Sequence, residues 1–520
     1  MKNIGFLLLI LFAFIPPVFP QAGLLDVTFD TDGKLITAFL PAGNAQIFAL
    51  AIQPDQKIVA AGTARGSNNN EDFALTRYHP DGSPDANFGS GGKSLLDFGL
   101  GHDAAKSMVL QPDGKIIVAG YAFNGTHPVF ALARFLENGD PDTTFGVLGH
   151  QTTAIVPGKS EASSVALQAD GKIVVAGTAY LNSTQGLFAL ARYDTLGILD
   201  TTFGLGGILL TAIDSLDDHA QAVAIQPDQK IIVAGYARHG VHYDFVLARY
   251  HPTGSPDTPF GMHGQQVTDF SGFDDYGQAM ALQPDGKIVV AGSTASGTTQ
   301  QYLALARYDA NGFADSTFGT YGKMKTNFNS VKDGAQAVAL QPDGKIVTAG
   351  YTYISIFQTF NFALARYLPD GKLDLDFNTT GKVTTAFQVG NDQSNAVAMQ
   401  ADGRIVAGGR TSQGEFALAR YLSGLNIDAT DTPISNQPGF LYPNPVQDAV
   451  ALEYSLQQDG PVHIVLYDQA GRIIARLADQ VAQTAGRHIR SLLLPANLAP
   501  GIYFIVLATS SGHSTWKMVK

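Results

Sequence analysis

In the stretch Phe188-Ala189-Leu190-Ala191-Arg192-Tyr193, large side chains alternate with alanines, and Ala222-Val223-Ala224-Ile225 repeats the pattern. Alternation with a period of two predicts β-strands whose successive side chains point to opposite faces of a sheet. Both faces are apolar here, one bulky and one shallow. A sheet with one solvated face would alternate apolar with polar residues. These strands are therefore predicted to sit in sheets covered on both sides.

The pattern recurs. A block written QPDGKIVVAG ends in glycine at 62, 120, 177, 235, 292, 350 and 409, at intervals of 57–59 residues. A block FALARY keeps step, with its arginine at 77, 134, 192, 249, 307, 366 and 420. A third, LDxTFG, places phenylalanine at 29, 88, 145, 203, 260, 318 and 377. Three independent markers in seven copies define seven repeats. In the fourth copy the predicted strands are 208–212, 222–226, 230–235 and 245–250. The QPDxK turn joins the middle pair, with proline presetting the first corner and glycine accepting the left-handed position that follows Asp. Gln56 and Gln229 stand where that glycine is expected, so both are predicted to be strained.

Four short strands per copy, buried on both faces, predict an all-β fold: a seven-bladed β-propeller, with an open β-solenoid as the alternative. The chain begins with an LDxTF block and one strand, and the last copy ends without either. The N-terminal strand is thus expected to complete the last blade and remove the open sheet edges. Each FALARY arginine is followed by the LDxTF aspartate, as in Arg134 and Asp142 or Arg192 and Asp200. Seven copies of such a pair read as a structural clamp, because Arg matches carboxylate geometry. Closure then predicts that Arg420 meets Asp26. The three markers resemble the delta-60 repeat family of bacterial secreted and surface proteins over about residues 24–422. That resemblance implies the repeat architecture and no particular activity.

After a polar linker at 423–439, the pattern changes to about six alternating strands within 440–520, which predicts a small Ig-like β-sandwich. Tyr442-Pro443-Asn444-Pro445, the turn from Tyr467 to Arg472, the run Leu498-Ala499-Pro500-Gly501-Ile502-Tyr503-Phe504 and the basic end Lys517-Met518-Val519-Lys520 resemble the C-terminal sorting domain of the type IX secretion system. The resemblance implies the secretion machinery as a partner, and a secreted or outer-membrane-surface location in a Bacteroidota-type cell.

The front of the chain agrees. Lys2 precedes an apolar run over 4–15, and Pro16-Pro17 ends it. Twelve residues are too few to span a bilayer, so residues 1–22 read as a signal peptide cut near 20–23, with no retained transmembrane anchor. There is no cysteine, so neither disulfides nor thiolate metal sites are available. With 33 basic and 45 acidic residues, the net charge of −12 argues against a nucleic-acid partner.

For function, the copies can be compared with one another. The QPDGK and LDxTFG turns fall on one rim and are nearly uniform. The segments 64–72, 121–129, 180–186, 238–244 and 351–361 fall on the other rim and vary, as binding loops on a rigid scaffold do. On that rim an aspartate precedes the Ala-Val-Ala strand in five copies: Asp103, Asp218, Asp275, Asp333 and Asp392. If the strand is innermost, these five would ring the channel mouth and suit a basic ligand or a cation such as calcium. An Asx turn entering the strand is the alternative.

Other motifs are weaker. His239 and His242 lack a third zinc ligand. Asp30-Thr31-Asp32-Gly33 lacks the later ligands of a calcium loop and reads as a turn. No nucleophile elbow or phosphate loop occurs, and no catalytic or cofactor-binding residue is assigned. Charges found in single copies (Arg65, Glu71, Lys106, Lys159, Glu161, His239, Lys332) are spread over several repeats. The expectation is a non-enzymatic binding scaffold for an extracellular glycan or protein. The alternatives are a hydrolase or lyase acting at the channel mouth, and a structural surface coat.

Overall fold

The computed structural model of the chain describes residues 21–424 apart from 40–43, 67–68 and 214–216. Further on it describes 441–442, 449–456, 459–468, 473–495, 498, 502–509 and 512–519. The expected signal peptide up to residue 20, the linker beyond 424 and the sorting-motif residues 443–445, 469–472, 499–501 and 520 lie outside the described residues.

Seven four-stranded antiparallel sheets form seven blades. The first runs outward through Gln46–Ile52, Ile58–Arg65, Glu71–Tyr78 and Lys93–Leu96. Its Ala-rich strand lies innermost, flanked by the matching strands of the second and seventh blades, and the seven inner strands close a ring. The bulky and shallow faces foreseen in the sequence pack against neighbouring blades. In the fourth blade Ile231, Val233 and Val246 pack with Phe188 and Leu190 of the third. Burial of this kind contributes about 25 cal/mol per Å² of apolar surface.

Repeat and blade are out of phase by one strand. Lys93–Leu96 follows the LDxTFG block of the second copy yet pairs with the FALARY strand of the first. The last blade must therefore take its outer strand from the front of the chain. Lys34–Thr37 pairs antiparallel with Phe416–Tyr421, Lys34 opposite Ala419 and Thr37 opposite Phe416. Arg420 Nη2 lies 2.9 Å from Asp26 Oδ2, so the predicted closure contact is present.

The arginines are buried staples. Each stands within 2.6–2.9 Å of its aspartate (Arg77–Asp85, Arg134–Asp142, Arg192–Asp200, Arg249–Asp257, Arg307–Asp315, Arg366–Asp374). Each also lies over the LDxTFG phenylalanine, 4.4–4.8 Å from the ring centre. A further guanidinium N–H donates to a carbonyl of the next blade: Arg134 to Thr195, Arg249 to Ala310 and, across the closure, Arg420 to Pro80. The FALARY tyrosine adds a link to the preceding blade, as Tyr193 Oη to Thr153 Oγ1 at 2.9 Å. In the second copy Phe135 replaces that tyrosine, and its neighbour is Leu96 rather than threonine.

Gln56 and Gln229 both adopt φ of 67°, in the left-handed region as expected. Each side chain has a partner. Gln56 Oε1 accepts from Ala401 N at 2.8 Å, and Gln229 Oε1 from Ala169 N at 3.1 Å. Those two alanines stand where the other five turns carry proline, which has no N–H to give. The two substitutions thus occur together, across a blade boundary.

The C-terminal part holds two antiparallel sheets. One contains Leu441–Tyr442, Ala449–Leu456 and Gly486–Leu493; the other contains Gly460–Asp468, Ile473–Gln483, Ile502–Thr509 and Gly512–Val519. Val450, Leu452 and Leu492 from the first share one core with Val462, Ile464, Ile505 and Leu507 from the second. Among the described residues no helix is long and apolar enough to cross a membrane.

Candidate functional site

The five aspartates do not ring the channel mouth. Asp103, Asp218, Asp275, Asp333 and Asp392 are all fully buried at the entry of the inner strand. In each, Oδ2 accepts the backbone N–H five residues earlier: Phe98, Ile213, Phe270, Phe328 and Phe387, at 2.7–2.9 Å. They clamp the loop arriving from the previous blade, an arrangement that is neither a channel ring nor an Asx turn, whose carboxylate would accept from the amide two residues further on. The physical reason is local. A buried carboxylate is tolerated only where it is hydrogen-bonded, and amide donors are available inside the loop.

What faces the channel is an irregularity that strict alternation hides. Every inner strand carries a β-bulge, with register breaks at Ile47/Ala49, Ala105/Ser107, Ala162/Ser164, Ala220/Ala222, Gly277/Ala279, Ala335/Ala337 and Ser394/Ala396. The extra residue in each copy (Phe48, Lys106, Ser163, Gln221, Gln278, Gln336 or Asn395) lines one cavity of about 420 Å³ at the head of the channel. Bulges re-aim side chains in this way.

The bulge also explains the seven glycines of QPDGKIVVAG. It pushes a carbonyl of the inner strand against the neighbouring strand, so that a Cβ on Gly62, Gly120 or Gly235 would lie 1.9–2.0 Å from the oxygen of Gln46, Ala104 or His219. The remaining four copies meet the same oxygen at 1.9–2.1 Å. Only glycine fits.

Beyond the bulge ring the sevenfold likeness ends. Tyr121, Glu161, Tyr180, His219 and Tyr236, from the second to fourth blades, complete one wall. His219 stacks on Tyr236 at 4.7 Å, and Tyr236 meets Tyr243 at 5.6 Å and Tyr276 at 5.0 Å. Asp217 holds the cluster from behind. It accepts from Tyr243 Oη at 2.7 Å and Gly186 N at 2.9 Å, and pairs with His219 Nε2 at 3.1 Å. Burial pushes the hydroxyls of Tyr121, Tyr180 and Tyr243 up to about 12, so they remain hydrogen-bond donors. Although burial opposes it, the contacts from Tyr243, His219 and Gly186 hold the Asp217 carboxyl below its ordinary range.

Two groups of carboxylates could hold a cation: Asp72, Asp97 and Asp103, and Asp244, Asp269 and Asp275, each with ligand atoms within 4.8 Å of one another. Two of the five predicted aspartates therefore belong to triads at blade junctions, away from the channel. The other junctions carry Ala38, Ala154, Ala212, Asn327 or Ala386 at the middle position. Three carboxylates are fewer than the roughly six to eight oxygens calcium takes. Burial, aided by like charges, pushes Asp103 and Asp244 up to about 6 and Asp275 to about 7.

The remaining motifs are structural. His239 and His242 face each other at a hairpin tip, and Asp32 accepts from Lys34 N at 2.9 Å in a turn.

Signal for the true lining was present in the sequence. The bulge position varies (Phe, Lys, Ser, Gln, Gln, Gln, Asn) inside an otherwise uniform block. Read with strict period two, it falls on the bulky face beside Val223 and Ile225, where a polar residue is out of place.

Fold and site together define a self-closed, seven-bladed propeller with its uneven face at one end of the channel. Residues 53–88, 111–145, 168–203, 226–260, 283–318, 341–377 and 400–430 match the model described as a domain of unknown function (DUF5122) beta-propeller, and 440–520 match a secretion system C-terminal sorting domain. The chain carries seven DUF5122 propeller repeats and a type IX sorting domain, which directs export to the cell surface or the extracellular space. No curated protein matches it. Among solved structures, it is similar to the polysaccharide lyase Uly1 (11% identity, 74% of this chain and 91% of that chain covered, TM-score 0.42). It is also similar to Sqt1 from Chaetomium thermophilum (12%, 73% and 97%, TM-score 0.38) and to the β-propeller domain of the Trilobed protease from Pyrococcus furiosus (11%, 72% and 94%, TM-score 0.36).

Proposed function

We propose that this exported propeller is a non-enzymatic glycan-binding scaffold that takes its ligand into the channel mouth on the variable rim. The observation that carries this reading is the lining itself. A cavity of about 420 Å³ combines aromatic faces (Tyr121, Tyr180, His219, Tyr236) with neutral amides (Gln221, Gln278, Gln336, Asn395). Sugar rings present flat C–H faces to aromatic surfaces and hydroxyls to amides, and pockets that fix a ligand by a few polar groups in an apolar wall follow the same logic. The phenols stay protonated and Asp217 stays ionised, so these groups favour holding a ligand over exchanging protons with it.

The Asp217–His219–Tyr243 cluster is the observation that keeps a hydrolase or lyase as the second reading. The test is a glycan array probed with the full-length secreted protein and with Tyr236→Ala, assayed in parallel for new reducing ends and unsaturated products. Binding that is lost in Tyr236→Ala, without product release, is the expected result. Product release would move the protein to the enzymatic reading. Unchanged binding by Tyr236→Ala would remove the ligand from this cavity.

A further inference from the structure

Six of the seven bulge residues are neutral; the seventh is Lys106. Its ammonium group lies 3.5 Å from the ring centre of Phe48 and 5.7 Å from that of Tyr121. Among the described residues it makes neither a hydrogen bond nor an ion pair. The nearby carboxylates are engaged elsewhere: Glu161 pairs with Lys159 at 3.1 Å, and Glu71 accepts from Asn44. The half-buried ammonium thus stands at the cavity with Phe48 and Tyr121 against it, while Glu161, which lines the same cavity, is held by Lys159. Removing an ammonium from water without a counter-ion is costly, and proteins ordinarily pair such a group. Here the partner position is the open cavity. Burial accordingly holds Lys106 down at about 8, against the pull of Glu161 and Glu71. The placement is specific to one copy in seven, on a chain of net charge −12, so a general basic surface does not account for it.

We propose that the ligand is an anionic glycan and that Lys106 seats its carboxylate or sulfate group in the cavity. The inference rests on reading the channel mouth as a glycan site and adds the charge of the ligand. The bulge aims the side chain, Phe48 and Tyr121 flank the ammonium, and the glutamines of the opposite wall remain for neutral hydroxyls. An arriving anion supplies the missing hydrogen-bond acceptors and restores the fully charged amine.

Calorimetric titration of the full-length protein tests this with polygalacturonate as the carboxylate probe, a sulfated galactan as the sulfate probe and dextran as the neutral one. At least one acidic polymer should bind about tenfold more tightly than dextran, and which of the two binds identifies the anion. Lys106→Met should lose about tenfold toward that polymer, while Lys106→Arg keeps most of the affinity. Lys372→Met, at an exposed turn of the uniform rim, should change nothing.

Equal binding of dextran, or an unaffected Lys106→Met, overturns the anion while leaving the glycan site standing. If no polymer binds but free galacturonate or sulfate alters tyrosine fluorescence, and Lys106→Met abolishes the change, the anion site stands and the glycan reading fails. No response to polymers or small anions overturns both.

Discussion

The two rims of the propeller are made by the same seven repeats and are used differently. On the uniform rim each copy carries the same arginine, aspartate and phenylalanine, and every arginine ties its blade to the next. On the variable rim the inner strands carry Lys106, Glu161, His219 or Tyr276 near their start and share a backbone bulge and, in five copies, a buried aspartate. Sevenfold identity marks what every blade needs to stay in the ring. Departure from it marks where one blade does something its neighbours do not. The seven glycines join the two, since a uniform residue makes room for the bulge that presents the variable one.

The contrast breaks most severely at the closure. Asp26→Ala leaves the buried Arg420 without its carboxylate, and Arg420→Ala leaves Asp26 with Arg404 alone and breaks the bond to Pro80; each should cost about 3 kcal/mol or more in urea unfolding. Arg404, 2.6 Å from Asp26, cannot replace Arg420, which also reaches the next blade. The double variant should cost less than the sum of the two, because both remove one network. Next in size is Gly235→Ala. A methyl 2.0 Å from the His219 carbonyl has to unseat the bulge, at about 1–3 kcal/mol, and should weaken ligand binding although Gly235 does not touch the ligand.

A smaller effect separates the rims by pH. On the uniform rim Asp142, Asp200 and Asp315 are held down at about 2, Asp200 chiefly by Thr202 and all three by Thr, Arg and Lys contacts that outweigh burial. Their folded values lie below the unfolded 3.8, so the stability they contribute is present above about 4 and lost as pH falls toward 2. On the variable rim Asp103 and Asp275 are raised to about 6 and 7, so their contribution is full below about 4 and disappears as pH climbs through those values. Tm measured by calorimetry should therefore rise from pH 8 to pH 5 and fall below pH 4. Asp275→Asn should flatten the upper limb only, and Asp200→Asn the lower limb only.

The smallest effect is expected at Gln229→Gly. Relief of a left-handed residue, about 1 kcal/mol, is offset by loss of the hydrogen bond to Ala169 N, about 0.5–1.5 kcal/mol, leaving a net change below about 1 kcal/mol. Gln229→Gly combined with Ala169→Pro rebuilds the pairing found at most other junctions and should be the more stable of the two, as denaturant midpoints would show.

The architecture was legible because its signals are local and repeated. Three spaced markers gave the number of blades, and the unmatched ends of the array gave the partner of Arg420. The positive φ of Gln56 and Gln229 followed from turn chemistry alone. Their bonds to Ala401 and Ala169 did not, since nothing along the chain shows which turns lie side by side.

The site was less legible for a related reason. One extra residue per inner strand reverses the faces before it, so strict alternation hid Gln221 and its equivalents, while the five aspartates were carried to the channel only by their place at the entry of the inner strand. The recurring polar letter before Ala-Val-Ala, in a position an unbroken strand would bury, is the trace the bulge leaves. The cluster formed by Asp217, His219, Tyr236, Tyr243 and Tyr276 spans two blades and becomes visible only when the blades stand side by side.

The most direct test of the division between the rims is hydrogen–deuterium exchange of the full-length protein with and without a bound glycan. Protection on binding should concentrate in segments 104–107, 160–164, 178–180, 218–222 and 236, and leave the turns at 111–115, 168–172 and 283–287 unchanged. Protection confined to those turns, or binding without protection of the bulged segments, would contradict the assignment of function to the variable rim.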